Sequence, residues 1–154
     1  MLSRFLLPSN SYFSRWQVAR PRFQNGRHSI LYWTAYLGLA ARVQDLLGVE
    51  GVEIDAQGGV YGTALSAAAL QGHHNIVLLL LDSGAATTIT ASSYYRWTPL
   101  HLAAESAGHA EVVKTLLKRG ATADVRDDLQ WTPLHLVAQR GHVDIAHVLL
   151  EHGA

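Results

Sequence analysis

The chain has 154 residues, of which 49% are hydrophobic, with twelve basic and twelve acidic side chains, nine histidines and no cysteine. Without cysteine there is no disulfide framework and no thiolate metal site, and a formal net charge of zero gives the chain as a whole no attraction for nucleic acid or an anionic membrane. The apolar fraction is enough for one continuous core, while the longest apolar run, Ile76 to Leu81, falls far short of the ~20 residues of a membrane span.

Charge is unevenly spread. Six arginines and no acid precede Asp45, whereas six basic and twelve acidic residues lie from Asp45 onward, a balance of −6. That balance disfavours DNA binding by the larger part of the chain.

Residues 1–28 have no repeating period, two prolines and scattered aromatics, and are expected to form an irregular or disordered leader. Its arginines and lack of acids are features of mitochondrial targeting sequences, yet Pro8 ends the only helical pattern, Leu2 to Leu7, in under two turns. Phe5-Leu6-Leu7 is too short for a secretory signal. A linker preceding the rest within a longer protein is the plain alternative. The expected setting is intracellular, cytoplasmic or nuclear, with mitochondrial import as the lesser reading.

From Ser29 the chain repeats itself. Ile30 to Leu37 and Ala40 to Leu47 predict a first pair of short helices, followed by a turn at Gly58-Gly59-Val60-Tyr61-Gly62, where the glycines are expected to supply positive φ. Thr63-Ala64-Leu65-Ser66 opens a second copy, which passes through Gly72-His73 and Leu79-Leu80 to Gly84. The clearest unit is Thr98 to Gly120. Thr98 is a good N-cap and Pro99 suits the first helical position, where its missing amide costs nothing. Gly108 breaks the run, Val112, Val113, Leu116 and Leu117 then form a helical stripe, and Gly120 closes it. A fourth copy runs from Thr132-Pro133-Leu134-His135 through Gly141-His142 to Leu149-Leu150.

Two departures from regularity stand out. The connection from Ala85 to Thr98 is two positions longer than that from Ala121 to Thr132, and Thr98 to Gly108 is one longer than Thr132 to Gly141. The first predicts a projecting finger at Ser92 to Trp97. The second places an inserted residue in Glu105-Ser106-Ala107, expected to displace Glu105 from the position of its counterparts. At the far end Ile145, Val148 and Leu149 are expected to lack cover on one side, because no polar capping repeat follows them.

The recurring Thr-Pro-Leu-His, Gly-His turn and Leu-Leu helix resemble the ankyrin repeat, a unit of about 33 residues, over residues 29–154. The resemblance implies an all-α solenoid of four stacked helix-turn-helix repeats, about 29–62, 63–97, 98–131 and 132–154, joined by short hairpin loops. It also implies a non-enzymatic protein-binding function without a cofactor, the partner lying on a concave face of hairpin tips and inner helices. Tyr61, Gln71, Tyr94, Tyr95, Arg96, Trp97, Glu105, Gln130, Trp131, Gln139 and Arg140 are the residues expected on that face, because the repeat template does not explain them and Tyr, Trp and Arg are enriched at binding hot spots. For Trp97 and Trp131 packing on the adjacent hairpin is the competing role.

The phrase Asp55-Ala56-Gln57-Gly58-Gly59 followed by Tyr61-Gly62-Thr63-Ala64-Leu65 is similar to repeats in filamentous-fungal nucleotide-binding receptors, so a C-terminal recognition fragment that binds its own upstream domains is an alternative. It carries over no ATPase, since no phosphate-loop string is present. The histidines fall into template slots: His101 and His135 in the motif, His73, His109 and His142 after turn glycines. His147 and His152 are five apart, not the four of a ligand pair on one helical face. Ser66, Ser106 and Asp144 likewise sit in template positions, which leaves a small hydrolase the weakest reading.

Overall fold

A computed structural model describes residues 28–91 and 95–154. Among them are eight α-helices: α1 His28–Tyr36, α2 Ala40–Leu47, α3 Ala64–Gln71, α4 His74–Asp82, α5 Pro99–Glu105, α6 Ala110–Lys118, α7 Pro133–Arg140 and α8 Val143–Glu151. The only bridge outside helices among these residues pairs Gly59 with Gly62. Apart from His28, the leader lies outside the described residues.

Among the described residues no helix exceeds nine residues, which is too short to hold alone in water, so packing must supply the stability. Capping fixes where the inner helices begin. The Thr63 hydroxyl accepts the Ser66 N–H at 3.2 Å, and Thr98 and Thr132 each share a capping box with the histidine three residues on, His101 and His135. Gly72 and Gly141 end α3 and α7 in the left-handed conformation, at φ 71° and 74°.

The helices form two layers. Inner helices α1, α3, α5 and α7 contact one another in that order, outer helices α2, α4, α6 and α8 do the same, and each inner helix packs on the outer helix that follows it. Leu65, Ile76, Leu80, Leu100, Val113, Leu116, Val137 and Leu149 lie in the core between the layers. Small residues such as Ala68, Ala69, Ala103 and Ala104, fully buried, let the inner helices approach closely. A second cluster of Tyr32, Tyr61, Ala67, Trp97, Leu102 and Leu136 joins the inner helices to the connecting tips.

Ile145 and Leu149 are fully buried and Val148 is half-buried against the core, contrary to the expectation that they lie uncovered, because α8 turns them toward α6 and α7. The uncovered positions are Val143 and Leu150. Leu150 holds the place in its helix that Leu117 holds in α6, yet it is 55% exposed where Leu117 is 8% exposed, since among the described helices α6 has α8 packed on that side and α8 packs only on α6 and α7.

The inserted residue also acts differently from expectation. Helix α5 runs unbroken from Pro99 to Glu105, so Glu105 keeps its register, seven places after Thr98 as Gln139 is seven after Thr132. The displacement falls after it: Ser106 is extended at φ −108° and ψ 139°, and Gly108 has positive φ, 80°, with open space where a Cβ would stand.

Candidate functional site

Three connections project from the inner helices, and their local chemistry differs. In the first, at 57–62, Gly62 alone has positive φ, 89°. Gly58 and Gly59 do not, so the expectation that they supply positive φ is wrong for them. They are glycines because Tyr32 packs flat against their backbone: a Cβ on either would lie 2.3–2.4 Å from Tyr32 atoms. Tyr32 is buried, its hydroxyl accepts the Tyr61 N–H at 3.4 Å, and burial pushes its phenol up to about 12.

The third tip, at 127–131, is organised by a buried carboxylate. Asp127 accepts the backbone N–H of Leu129 and of Trp131, both at 2.8 Å, on one oxygen, and the Trp97 indole N–H at 2.8 Å on the other. Such a carboxylate is satisfied without a cation. The Asp128 N–H donates to the Tyr95 carbonyl at 3.0 Å, so the second and third tips are tied directly. In the second tip the Ala91 N–H donates to the Trp97 carbonyl at 2.8 Å. Tyr95 and Arg96 have φ of 49° and 55°, and Gln130 has φ of 64°; these are the non-glycine residues in the left-handed region among the described residues, and all three sit in these two tips.

Histidines stitch neighbouring repeats together. The His101 ring N–H donates from Nε2 to the Trp131 carbonyl at 3.2 Å, while Nδ1 accepts the Thr98 N–H at 3.3 Å, which fixes the neutral Nε2–H tautomer. His73 and His142 reach the carbonyls of Tyr36 and Glu105 at 3.2 Å. His109 rests against Gly72 and bonds the Ala69 backbone; its Nδ1 is buried with no hydrogen-bond partner. Burial lowers the pKa of both His101 and His109. These roles are structural, in line with the template slots they occupy.

Between the second and third tips lies a slot of about 230 Å³ lined by Tyr95, Trp97, Glu105, Asp127, Leu129, Trp131, Leu136 and Gln139. On the other side of the same tips is a more polar groove of about 440 Å³, which Arg96, Arg126, Asp128, Gln130 and four threonines border. Glu105 is paired with Arg140 across the boundary between α5 and α7.

The residues expected on the binding face thus separate. Tyr95, Trp97, Glu105, Trp131 and Gln139 share the slot, with Arg140 at its edge through Glu105, and Arg96 and Gln130 line the groove. Tyr61 and Trp97 are each only 6% exposed: they are core members whose rings hold tips to inner helices. Trp97 therefore does not stand on a projecting finger. Gln71 is exposed at the end of α3 and lines neither cavity. Ser92, Ser93 and Tyr94 lie outside the described residues. Asp127 escaped sequence reasoning altogether, although an aspartate opening a tight loop is a recognisable turn signal.

A stack of short helix pairs, with tips and inner helices forming a continuous strip, defines a helical-repeat solenoid, a class that presents a surface to a partner. Family models for ankyrin repeats match residues 31–127 as three copies and residues 129–154 as a further one, and the chain belongs to the ankyrin-repeat family. No curated protein matches the chain. Ankyrin repeats are generally protein–protein interaction modules, and proteins of the family are typically non-enzymatic. Among the described residues no helix is long and apolar enough to cross a membrane, and no three acidic or histidine side chains group to hold a metal ion.

Proposed function

We propose that this protein is a non-enzymatic binding module that engages a protein partner with its second and third tips and the adjoining ends of α5 and α7. The observation that carries this reading is the concentration of left-handed non-glycine residues, Tyr95, Arg96 and Gln130, in the two tips that border an aromatic slot. Each such residue costs on the order of 1–3 kcal/mol, a cost glycine would remove. Tyr95 packs on the tip cluster and Arg96 pairs with Asp128, while Gln130 stands exposed at the surface, so a side chain in place of glycine is available to a partner there. Leu129, 57% exposed at the rim, and the half-buried Tyr95 and Trp131 supply apolar contact area next to hydrogen-bonding Gln130 and Gln139. The same face would serve if the partner were an upstream domain of a longer polypeptide.

Quantitative affinity capture with the chain, repeated with Tyr94→Ser and Tyr95→Ser together, tests the proposal. Binding of the captured partner is expected to fall at least tenfold, about 1.4 kcal/mol, with little change in unfolding midpoint. Undiminished binding in the double variant removes these tips from the interface.

A further inference from the structure

We propose that the slot between the second and third tips receives an arginine side chain of the partner polypeptide, with Glu105 as its counter-ion. This deepens the binding reading above and rests on it. Tyr95, Trp97, Trp131 and Leu136 are among the residues that give the slot its apolar lining, and the charged residues that line it, Glu105 and Asp127, are both acidic. An apolar-walled slot of one sign selects an occupant with an aliphatic stem and a cationic head.

The two carboxylates are not equivalent. Asp127 is buried and already accepts three N–H groups, so it contributes a fixed negative field. Glu105 faces the slot with its side chain 17% exposed, and the chain itself shows what that carboxylate takes, since the Arg140 guanidinium reaches across from α7 to bond it. Arg140 is a partly exposed side chain, and an incoming guanidinium has to displace it or share the carboxylate with it. A flat guanidinium stacks on indole and phenol faces and offers a fork of donors to a carboxylate, which a lysine ammonium does not. Beyond the slot, the excess of twelve acidic over six basic residues from Asp45 onward attracts a basic partner during encounter.

The experiment titrates the full chain with short synthetic peptides that are identical except for one central residue: arginine, lysine or citrulline, the last a neutral mimic of arginine's shape. The indole N–H signals of Trp97 and Trp131 in the nuclear magnetic resonance spectrum are the readout. Saturable shifts are expected with the arginine peptide, weaker binding with lysine, and at least tenfold weaker binding with citrulline. Glu105→Gln is expected to weaken the arginine peptide at least tenfold, and Arg140→Gln to tighten its binding by removing the competing guanidinium. Equal affinity for arginine and citrulline, or no saturable shift up to roughly 10 mM peptide, a range that reaches past millimolar affinity, overturns the assignment. If Glu105→Gln fails to fold, the arginine–citrulline pair decides alone.

Replacing Arg4, Arg15, Arg20, Arg22 and Arg27 with glutamine is the further arm. A movement of the two indole signals in that variant without peptide makes the chain's own N-terminal segment the occupant and overturns a separate partner. Failure of the arginine peptides while the Tyr94 and Tyr95 double variant still loses its captured partner removes only the arginine assignment; failure of both removes the face.

Discussion

The tip at 57–62 and the two tips ending at Trp97 and Trp131 make comparable turns between helix pairs with opposite materials. The first uses glycine at three positions of its bend: Gly62 takes the left-handed position at φ 89°, and Gly58 and Gly59 leave their Cβ space to the side chain of Tyr32. The other two place Tyr95, Arg96 and Gln130 in left-handed backbone, and anchor the turn instead through Asp127 and the Trp97 indole. The first tip is thus relaxed and packed, and the others are strained and held by a buried polar network. The difference separates glycines that a bend requires from side chains placed in a bend against backbone preference, and the second kind are the ones to test for a role in binding.

Breaking the network gives the largest effect. Trp97→Ala removes a buried indole from the tip cluster and leaves Asp127 short of a donor, so stability is expected to fall by about 3–5 kcal/mol, read from urea unfolding. A loss below about 1 kcal/mol would mean that Trp97 is a surface residue after all.

Next is the packed tip. Gly59→Ala puts a methyl group 2.4 Å from the Tyr32 ring and is expected to cost about 1–3 kcal/mol. Gly48 is the control: it has negative φ, and its Cβ position meets only backbone oxygens at 3.5 Å and beyond. Gly48→Ala is expected to be neutral or to stabilise by about 0.4–1 kcal/mol. Equal effects at the two sites would show that the first tip gives way easily.

A further effect is set by pH. His101 and His109 have folded pKa values below their ordinary value of 6.5, chiefly because burial penalises the charged ring. Below 6.5 the unfolded chain therefore binds more protons than the folded one, so this contribution to stability is fully present above that pH and is lost as pH falls through the folded values. The groups facing His109 add to it, since His73 and His142 repel its charge. The urea midpoint should decline from pH 7.5 to pH 5.5, and His109→Gln should flatten the decline. A steeper profile in that variant would assign the proton uptake elsewhere.

The smallest effect sharpens the comparison most. Gln130→Gly relieves a left-handed residue, worth about 1–2 kcal/mol, and gives back about 0.5–1 kcal/mol in chain entropy. A net gain of up to about 1 kcal/mol in unfolding free energy is expected, together with weaker partner binding. Stabilisation without loss of binding would show that Gln130 is strained for no purpose at this face.

The repeat, its helices and its caps were legible in the sequence because they depend on near neighbours. Thr98 with Pro99 and His101, or Gly72 and Gly141 at helix ends, act within one turn of backbone, and periodic leucines then mark the buried stripe. Glu105, Trp131, Gln139 and Arg140 are residues the repeat leaves unexplained, and the structure brings them to one place.

What the sequence could not decide were matters of who lies next to whom across repeats. Asp127 and Trp97 are thirty positions apart, and only their meeting decides between the two roles open to Trp97, contact with a partner and packing on a tip, in favour of a buried anchor. Tyr32 and Gly59 show the same, since a glycine kept clear for a distant ring has no local signature. Leu150 and Leu117 are indistinguishable by type and register, yet one is covered and the other open. Short-range rules govern φ, caps and helical faces, whereas burial is a property of neighbours, and in this solenoid each neighbour arrives from about one repeat away.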